Sequence, residues 1–215
     1  MNPALANSVR TALILLAFTL LGTAMLAYTF QLTRDIIAAS EEREKLALIS
    51  QVLPPTLFDN DILTDTIKLP PTEALGTIEP SLVYRATLHG QPAALVFEAV
   101  APDGYAGRIY LLVAVKANGE LAGVRVVSHN ETPGLGDYID IAKSPWIRVF
   151  EGKSLANVRP NGWKVKKDGG DFPYVSGATI TPRAVIKAVH GVLMYFEKEG
   201  GPLFARPAAW QEQHK

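Results

Sequence analysis

Between Thr11 and Thr33 no residue carries a charge, and the stretch Ala12–Phe30 is apolar apart from scattered threonines. At about 1.5 Å per residue that stretch makes roughly 28 Å of helix, close to the ~30 Å hydrocarbon thickness of a bilayer. A cleaved signal peptide is the alternative, with small residues around Ala24–Ala27 as a processing site. The run is longer than a signal peptide's apolar core, which favours a membrane anchor. From Thr33 to Val52, Ile36, Ile37, Leu46, Leu48 and Ile49 recur among charged residues, as expected of a helix continuing as a stalk until Pro54-Pro55 ends it.

The pattern changes after Asp59. Residues 59–80, with Pro70-Pro71 and Pro80, read as loops with short elements. Leu82–Leu88 and Ala93–Val100 are rich in strand formers and flank the turn His89-Gly90-Gln91-Pro92; Arg108–Lys116 and Leu121–His129 flank Ala117-Asn118-Gly119-Glu120. Asn-Gly is a strong hairpin signal because both residues tolerate positive φ. Residues 137–150 suggest helix in pieces, interrupted before Pro145, and Trp163–Asp168 suggests a short strand before a Gly169-Gly170 turn. After Thr181, the residues Val185, Ile186, Val189, Val192, Leu193 and Phe196 form a helical stripe that Gly200-Gly201 is expected to stop.

The fold class is therefore α+β: an N-terminal transmembrane helix and stalk, then one sheet-and-helix domain. The expected boundaries are a cytoplasmic N-terminus over 1–10, the span over 11–33, stalk and linker over 34–80, the domain over 81–205 and a tail over 206–215. Arg10 precedes the span, while Arg34 is followed by Asp35, Glu41, Glu42 and Glu44; this bias favours a cytoplasmic N-terminus and an outer domain.

Composition narrows the chemistry. The 21 basic and 21 acidic residues balance, giving no support to a nucleic-acid partner. With no cysteine, the chain cannot supply thiolates to a metal, an iron–sulfur cluster or a c-type haem. His89, His129, His190 and His214 have no ligand spacing, so no metal site is expected. An electron carrier built this way needs another redox group.

Ser176-Gly177-Ala178-Thr179 stands directly before the helical stripe, with Thr181 suited to an N-cap and Pro182 to the first helical position. A helix start there would favour an anion such as phosphate beside Thr179. A second block, His129 to Asp137 (His-Asn-Glu-Thr-Pro-Gly-Leu-Gly-Asp), follows the second hairpin, so the sheet would position a glycine-bearing loop.

Ser176-Gly177-Ala178-Thr179 resembles the flavinylation motif of covalent FMN-binding domains, and the His129–Asp137 block resembles that family's other signature. With Thr179-Ile180-Thr181-Pro182-Arg183-Ala184-Val185 added, nearly the whole chain resembles the G subunits of Rnf/Rsx-type ion-translocating electron transport complexes. The resemblance implies FMN held by a phosphoester to Thr179, installed from FAD by a separate Mg²⁺-dependent flavin transferase that releases AMP. It implies an electron carrier in the cell inner membrane with a periplasmic domain, working with other subunits rather than as a complete enzyme, so no catalytic residue is assigned.

Ser176 counts with the motif among the cofactor-binding candidates, Gly177 and Ala178 would give the transferase close access to the backbone, Glu131 and Thr132 would supply polar contacts, and Leu135 an apolar wall for the flavin. His129 could face the flavin or end the strand, the latter favoured; Lys164, Lys166 and Lys167 read as a solvated face, and Trp146 and Trp163 as flavin neighbours or core. One departure stands out: where the family pattern has an acidic residue three positions before the tetrapeptide, this chain has Pro173, with Asp171 two residues earlier. Two alternatives remain at this level: the C subunit of a sodium-translocating NADH:quinone oxidoreductase, which shares the anchor and motif, and a non-redox periplasmic interaction module that binds no flavin.

Overall fold

A computed structural model describes residues 3–208. His214 and residues 209–215 of the expected tail lie outside the described residues. The chain divides into two compact units, Met1–Glu44 and Lys45–Lys215. Helix α1 covers Pro3–Val52.

In the first unit, Asn7–Arg34 is long and apolar enough to cross a membrane. Its large side chains, including Leu13, Phe18 and Leu26, are exposed. Thr19, Thr29 and Thr33 turn their hydroxyls back onto the carbonyls of Leu15, Met25 and Thr29, at 2.8, 2.9 and 3.0 Å. Each hydroxyl is thereby satisfied inside the helix, which suits an apolar solvent.

The second unit is built on a five-stranded antiparallel meander, β1 (Thr66–Leu69), β2 (Ser81–Leu88), β3 (Gln91–Gly104), β4 (Gly107–Lys116) and β5 (Leu121–Ser128), in sequential order. One face buries Ile49, Val52 and Leu53 against Tyr84, Ala86, Ala94, Val96 and Ala114. The other receives helix α2, Ile180–Ala205, whose Val185, Val189 and Val192 are fully buried with Leu95, Phe97 and Val113. Burying such a side chain stabilises by roughly 1.5–3 kcal/mol, so the predicted stripe is what docks α2. Phe97 also meets Tyr195 and Phe196 edge-on, with ring centroids 6.2 and 6.4 Å apart.

Both predicted hairpins form, with their turns exchanged. At His89-Gly90 both residues take positive φ, 52° and 73°, and Leu88 pairs with Gln91, giving a two-residue turn of type I′ character instead of a four-residue loop. At Asn118-Gly119 only Gly119 does so (φ 84°); Val115 pairs with Leu121, and Lys116 N–H donates to Glu120 O at 2.8 Å across a longer, bulged loop.

Three further expectations are corrected. Trp163–Asp168 is no strand: it joins short 3₁₀ turns, and only Val165 bridges Phe172. Trp163 and Val165 are buried while Lys164 and Lys166 are exposed, so an irregular segment lying on the core imitates a strand's alternation. Helix α2 does not stop at Gly200-Gly201 but runs through Pro202 to Ala205. Leu203 is fully buried, and Arg85, held by Asp65 at 2.6 Å, donates to the terminal carbonyls of Phe204 (3.0 Å) and Arg206. That guanidinium satisfies the helix end that glycine was expected to terminate. Finally, Thr181 is not the N-cap: α2 begins at Ile180, Thr179 holds the N-cap position, and the Thr181 hydroxyl is spent elsewhere.

Candidate functional site

The loop after β5 is shaped by its own backbone and by Glu131. His129 ends the strand region, its Nδ1 accepting the Glu131 N–H at 3.0 Å. Thr132 O accepts from both Leu135 and Gly136 N–H at 3.1 Å, and Asp137 Oδ1 accepts from Gly134 N–H at 2.8 Å. The Glu131 side chain is buried. Its Oε2 accepts from the Thr181 hydroxyl and its Oε1 from Ala106 N–H at 3.0 Å, in the β3–β4 turn. Three segments distant in sequence thus meet on one carboxylate. Gly136 permits the closure: a Cβ there would lie 2.7 Å from Glu131 Oε2 and 2.9 Å from Thr181 Oγ1.

The segment before α2 makes a reverse turn. Ala178 N–H donates to Val175 O at 3.1 Å, and Gly177, at the third position, has φ 89°. A type II turn requires positive φ there, which explains the glycine of the tetrapeptide. Ser176 and Gly177 form the exposed tip, Ala178 is buried, and Thr179 is partly exposed with no side-chain capping bond. The turn rests on two aromatic side chains. Trp146 Nε1 donates to Pro173 O at 2.8 Å, while the Tyr138 hydroxyl accepts from Val175 N–H and donates to Ala178 O, both at 3.4 Å.

Charge near the turn is internally paired. Arg183 forks onto Asp168 at 2.7 Å through both Nε and Nη2, and Arg159 holds Asp171 at 2.8 Å. Hydrogen bonding from these guanidiniums holds both carboxyls below their ordinary range. Burial pushes the Tyr138 hydroxyl up, opposed by the Val175 N–H, and pushes His190, stacked on Trp163, down. Lys164, Lys166 and Lys167 are exposed, and Trp146 and Trp163 are core residues.

The structure therefore brings the two sequence blocks together through Glu131 and Thr181. Glu131 has both oxygens committed to this scaffold, and Thr132 organises its loop through its carbonyl, its side chain being exposed. Leu135 and Val175 on the two loops and Ile180 at the start of α2 are half-exposed apolar side chains, at 51%, 44% and 47%. Tyr138 is the residue sequence reasoning missed; its position directly after Asp137 of the second block was the available signal. A cleft of about 490 Å³ lies on the other face of the sheet, lined by Lys45, Tyr84, Glu98 and Tyr110, with no residue of 131–136 or 176–179 among its walls.

These residues fit a phosphate-linked aromatic group: a threonine hydroxyl free of capping duty at a helix start, on an open turn, beside exposed apolar side chains. Among the described residues no group of His, Cys, Asp and Glu could hold a metal.

Comparison with known proteins defines the class. Residues 104–194, which contain both loops, match the family model of the FMN-binding domain, and residues 1–52 match the RnfG N-terminal region. In Pseudomonas aeruginosa (strain UCBPP-PA14), the G subunit of the ion-translocating oxidoreductase complex is 47% identical over 199 residues, 93% of each chain. Its counterpart in Shewanella baltica (strain OS223) is 42% identical over 213 residues, 99% of each chain. The chain belongs to the family of G subunits of ion-translocating oxidoreductase complexes. The crystal structure of Shewanella oneidensis NqrC is similar at 26% identity, with a TM-score of 0.45 over 69% of this chain and 76% of that one. Identity above 40% over nearly the whole length decides between the two subunit types in favour of the G subunits.

Proposed function

We propose that this chain is the FMN-carrying subunit of an ion-translocating oxidoreductase complex, with the flavin bound through a phosphoester to Thr179. The observation that carries the reading is the turn Val175–Ala178, which presents the uncapped Thr179 hydroxyl at the start of α2 while Glu131 ties that start to the second loop. In maturation, Thr179 Oγ1 attacks the FMN-side phosphorus of FAD on a Mg²⁺-dependent transferase. The new O–P bond replaces the P–O–P bond, AMP departs, and the threonine proton goes to solvent or to the transferase. Ser176 and Gly177 give access to the backbone, and Ala178 anchors the turn.

Bound FMN supplies one- and two-electron redox chemistry. The chain's own part would be to hold it: amides of the first turn of α2 would serve its phosphate, and Leu135, Val175 and Ile180 would offer apolar surface. Thr132 lends a polar group at the loop edge. Asn7–Arg34 anchors the chain in the cell inner membrane with the domain on the periplasmic side, where a tether prevents loss of a flavin that is not readily replaced.

The test is ultraviolet fluorescence of the chain after denaturing electrophoresis, followed by peptide mass analysis, in cells holding the transferase. Fluorescence that persists, maps to Thr179 and vanishes in Thr179→Ala is expected. A non-fluorescent chain of unmodified mass would overturn the reading and leave the non-redox interaction module.

A further inference from the structure

We infer that Trp146, assisted by Tyr138, is a positioning residue for modification of Thr179, its indole N–H holding the backbone at Pro173. The inference rests on Thr179 being the flavin acceptor. The turn 175–178 is exposed, with Ser176 and Gly177 at its tip. An exposed turn carrying a glycine at φ 89° has more backbone freedom to lose than one built of other residues. Transfer needs the hydroxyl in line with a phosphorus held by another enzyme, so the turn must be stiffened from below.

Two side chains supply that support, both from the segment between the two sequence blocks. Trp146 grips the incoming strand at Pro173 O (2.8 Å), and Tyr138 touches the turn at Val175 N–H and Ala178 O (3.4 Å each). The indole bond has the better geometry and the larger effect. Trp146 is itself fixed: its ring stands edge-on between Tyr138 and Phe150, with centroids 5.4 and 5.6 Å away, and Phe150 continues to Phe172, the residue before Pro173. Its N–H is therefore aimed by packing. The contact is to a carbonyl, which any residue at 173 provides, so the proline costs nothing here.

The test uses the full chain in detergent with purified flavin transferase, FAD and Mg²⁺, following covalent incorporation. Trp146→Phe keeps an aromatic ring but removes the N–H, and Tyr138→Phe removes only the hydroxyl. Misplacement on the scale of an ångström lowers rates by up to about 10²-fold, so Trp146→Phe should cut kcat by roughly tenfold or more with KM for the acceptor chain unchanged. Tyr138→Phe should show a smaller loss, with faster amide exchange at Val175. Pro173→Ala, which keeps the carbonyl, should run at the parent rate. Parent kinetics in both aromatic variants would overturn the inference while leaving Thr179 as acceptor. A rise in KM alone, or loss tracking a lowered Tm, would also overturn it; if Trp146→Phe does not fold, the Tyr138→Phe result decides. An unmodified parent chain would remove the reading and the inference together.

Discussion

Thr181 donates its hydroxyl hydrogen to the buried Glu131 carboxylate, joining residues fifty positions apart in the chain. The same carboxylate accepts Ala106 N–H through its other oxygen, so one side chain closes the loop after β5 onto both α2 and the β3–β4 turn.

Glu131→Ala should be among the most destabilising single changes near the site. It leaves the buried Thr181 hydroxyl without a partner, at about 1–3 kcal/mol, and removes the acceptor of the more exposed Ala106 N–H. Glu131→Gln can present its oxygen to Ala106 and its amide to Thr181 Oγ1, so about 1 kcal/mol is expected. Denaturant titration of both variants checks the order; equal losses would contradict the strut.

Gly177 has positive φ and nothing within 4 Å of where a Cβ would stand. The penalty for Gly177→Ala is therefore one of backbone conformation, roughly 1–2 kcal/mol. Gly177→Asn should cost less because asparagine enters that region more readily. Comparing flavin incorporation and unfolding midpoints for the two separates conformation from crowding.

Arg85 should matter more to α2 than any residue in the helix's own last turn. Arg85→Ala removes donors to Phe204 and Arg206 carbonyls and leaves Asp65 without its guanidinium. A loss of about 2–4 kcal/mol is expected from charge-assisted bonds of this kind, with faster amide exchange first in residues 201–205. Unchanged exchange there would show that the helix end is held by packing alone.

His190 gives the domain a pH dependence of defined sign. Burial lowers its folded pKa below the ordinary 6.5, so the neutral ring is favoured on folding. The resulting stability is present above pH 6.5 and is lost as pH falls toward the folded value. Asp168 and Asp171, held below the ordinary 3.8, act in a separate acid window: their contribution is present above 3.8 and fades below it. Unfolding midpoints across pH should fall from pH 6.5 downward, and His190→Phe should flatten that limb while leaving the acid limb.

The N-terminal apolar helix, both hairpins and the α2 stripe were legible because each is written in local periodicity. The tetrapeptide Ser176–Thr179 was legible as a turn before a helix, since Gly177 and the following apolar spacing mark it. What escaped depends on partners far along the chain. Thr181 looks like an N-cap until Glu131 claims its hydroxyl, and Gly200-Gly201 looks like a stop until Arg85 satisfies the carbonyls beyond it. Lys164 and Lys166 alternate with Trp163 and Val165 for the same reason a strand's residues do, one side facing the core, yet no neighbouring strand is present beyond the bridge to Phe172. Tyr138 and Trp146 gave no signal of their contacts, which are to backbone atoms of a segment that side-chain patterns do not encode.

Helix α2 is fastened to the sheet at both ends, at its first turn by Thr181 on Glu131 and at its last by Arg85. A group bonded at Thr179 would then sit on a mount that neither slides nor tilts when its charge changes. For a redox group on such a mount, the protein's own rearrangement on reduction would be confined to the loops around it, not to the helix that bears it.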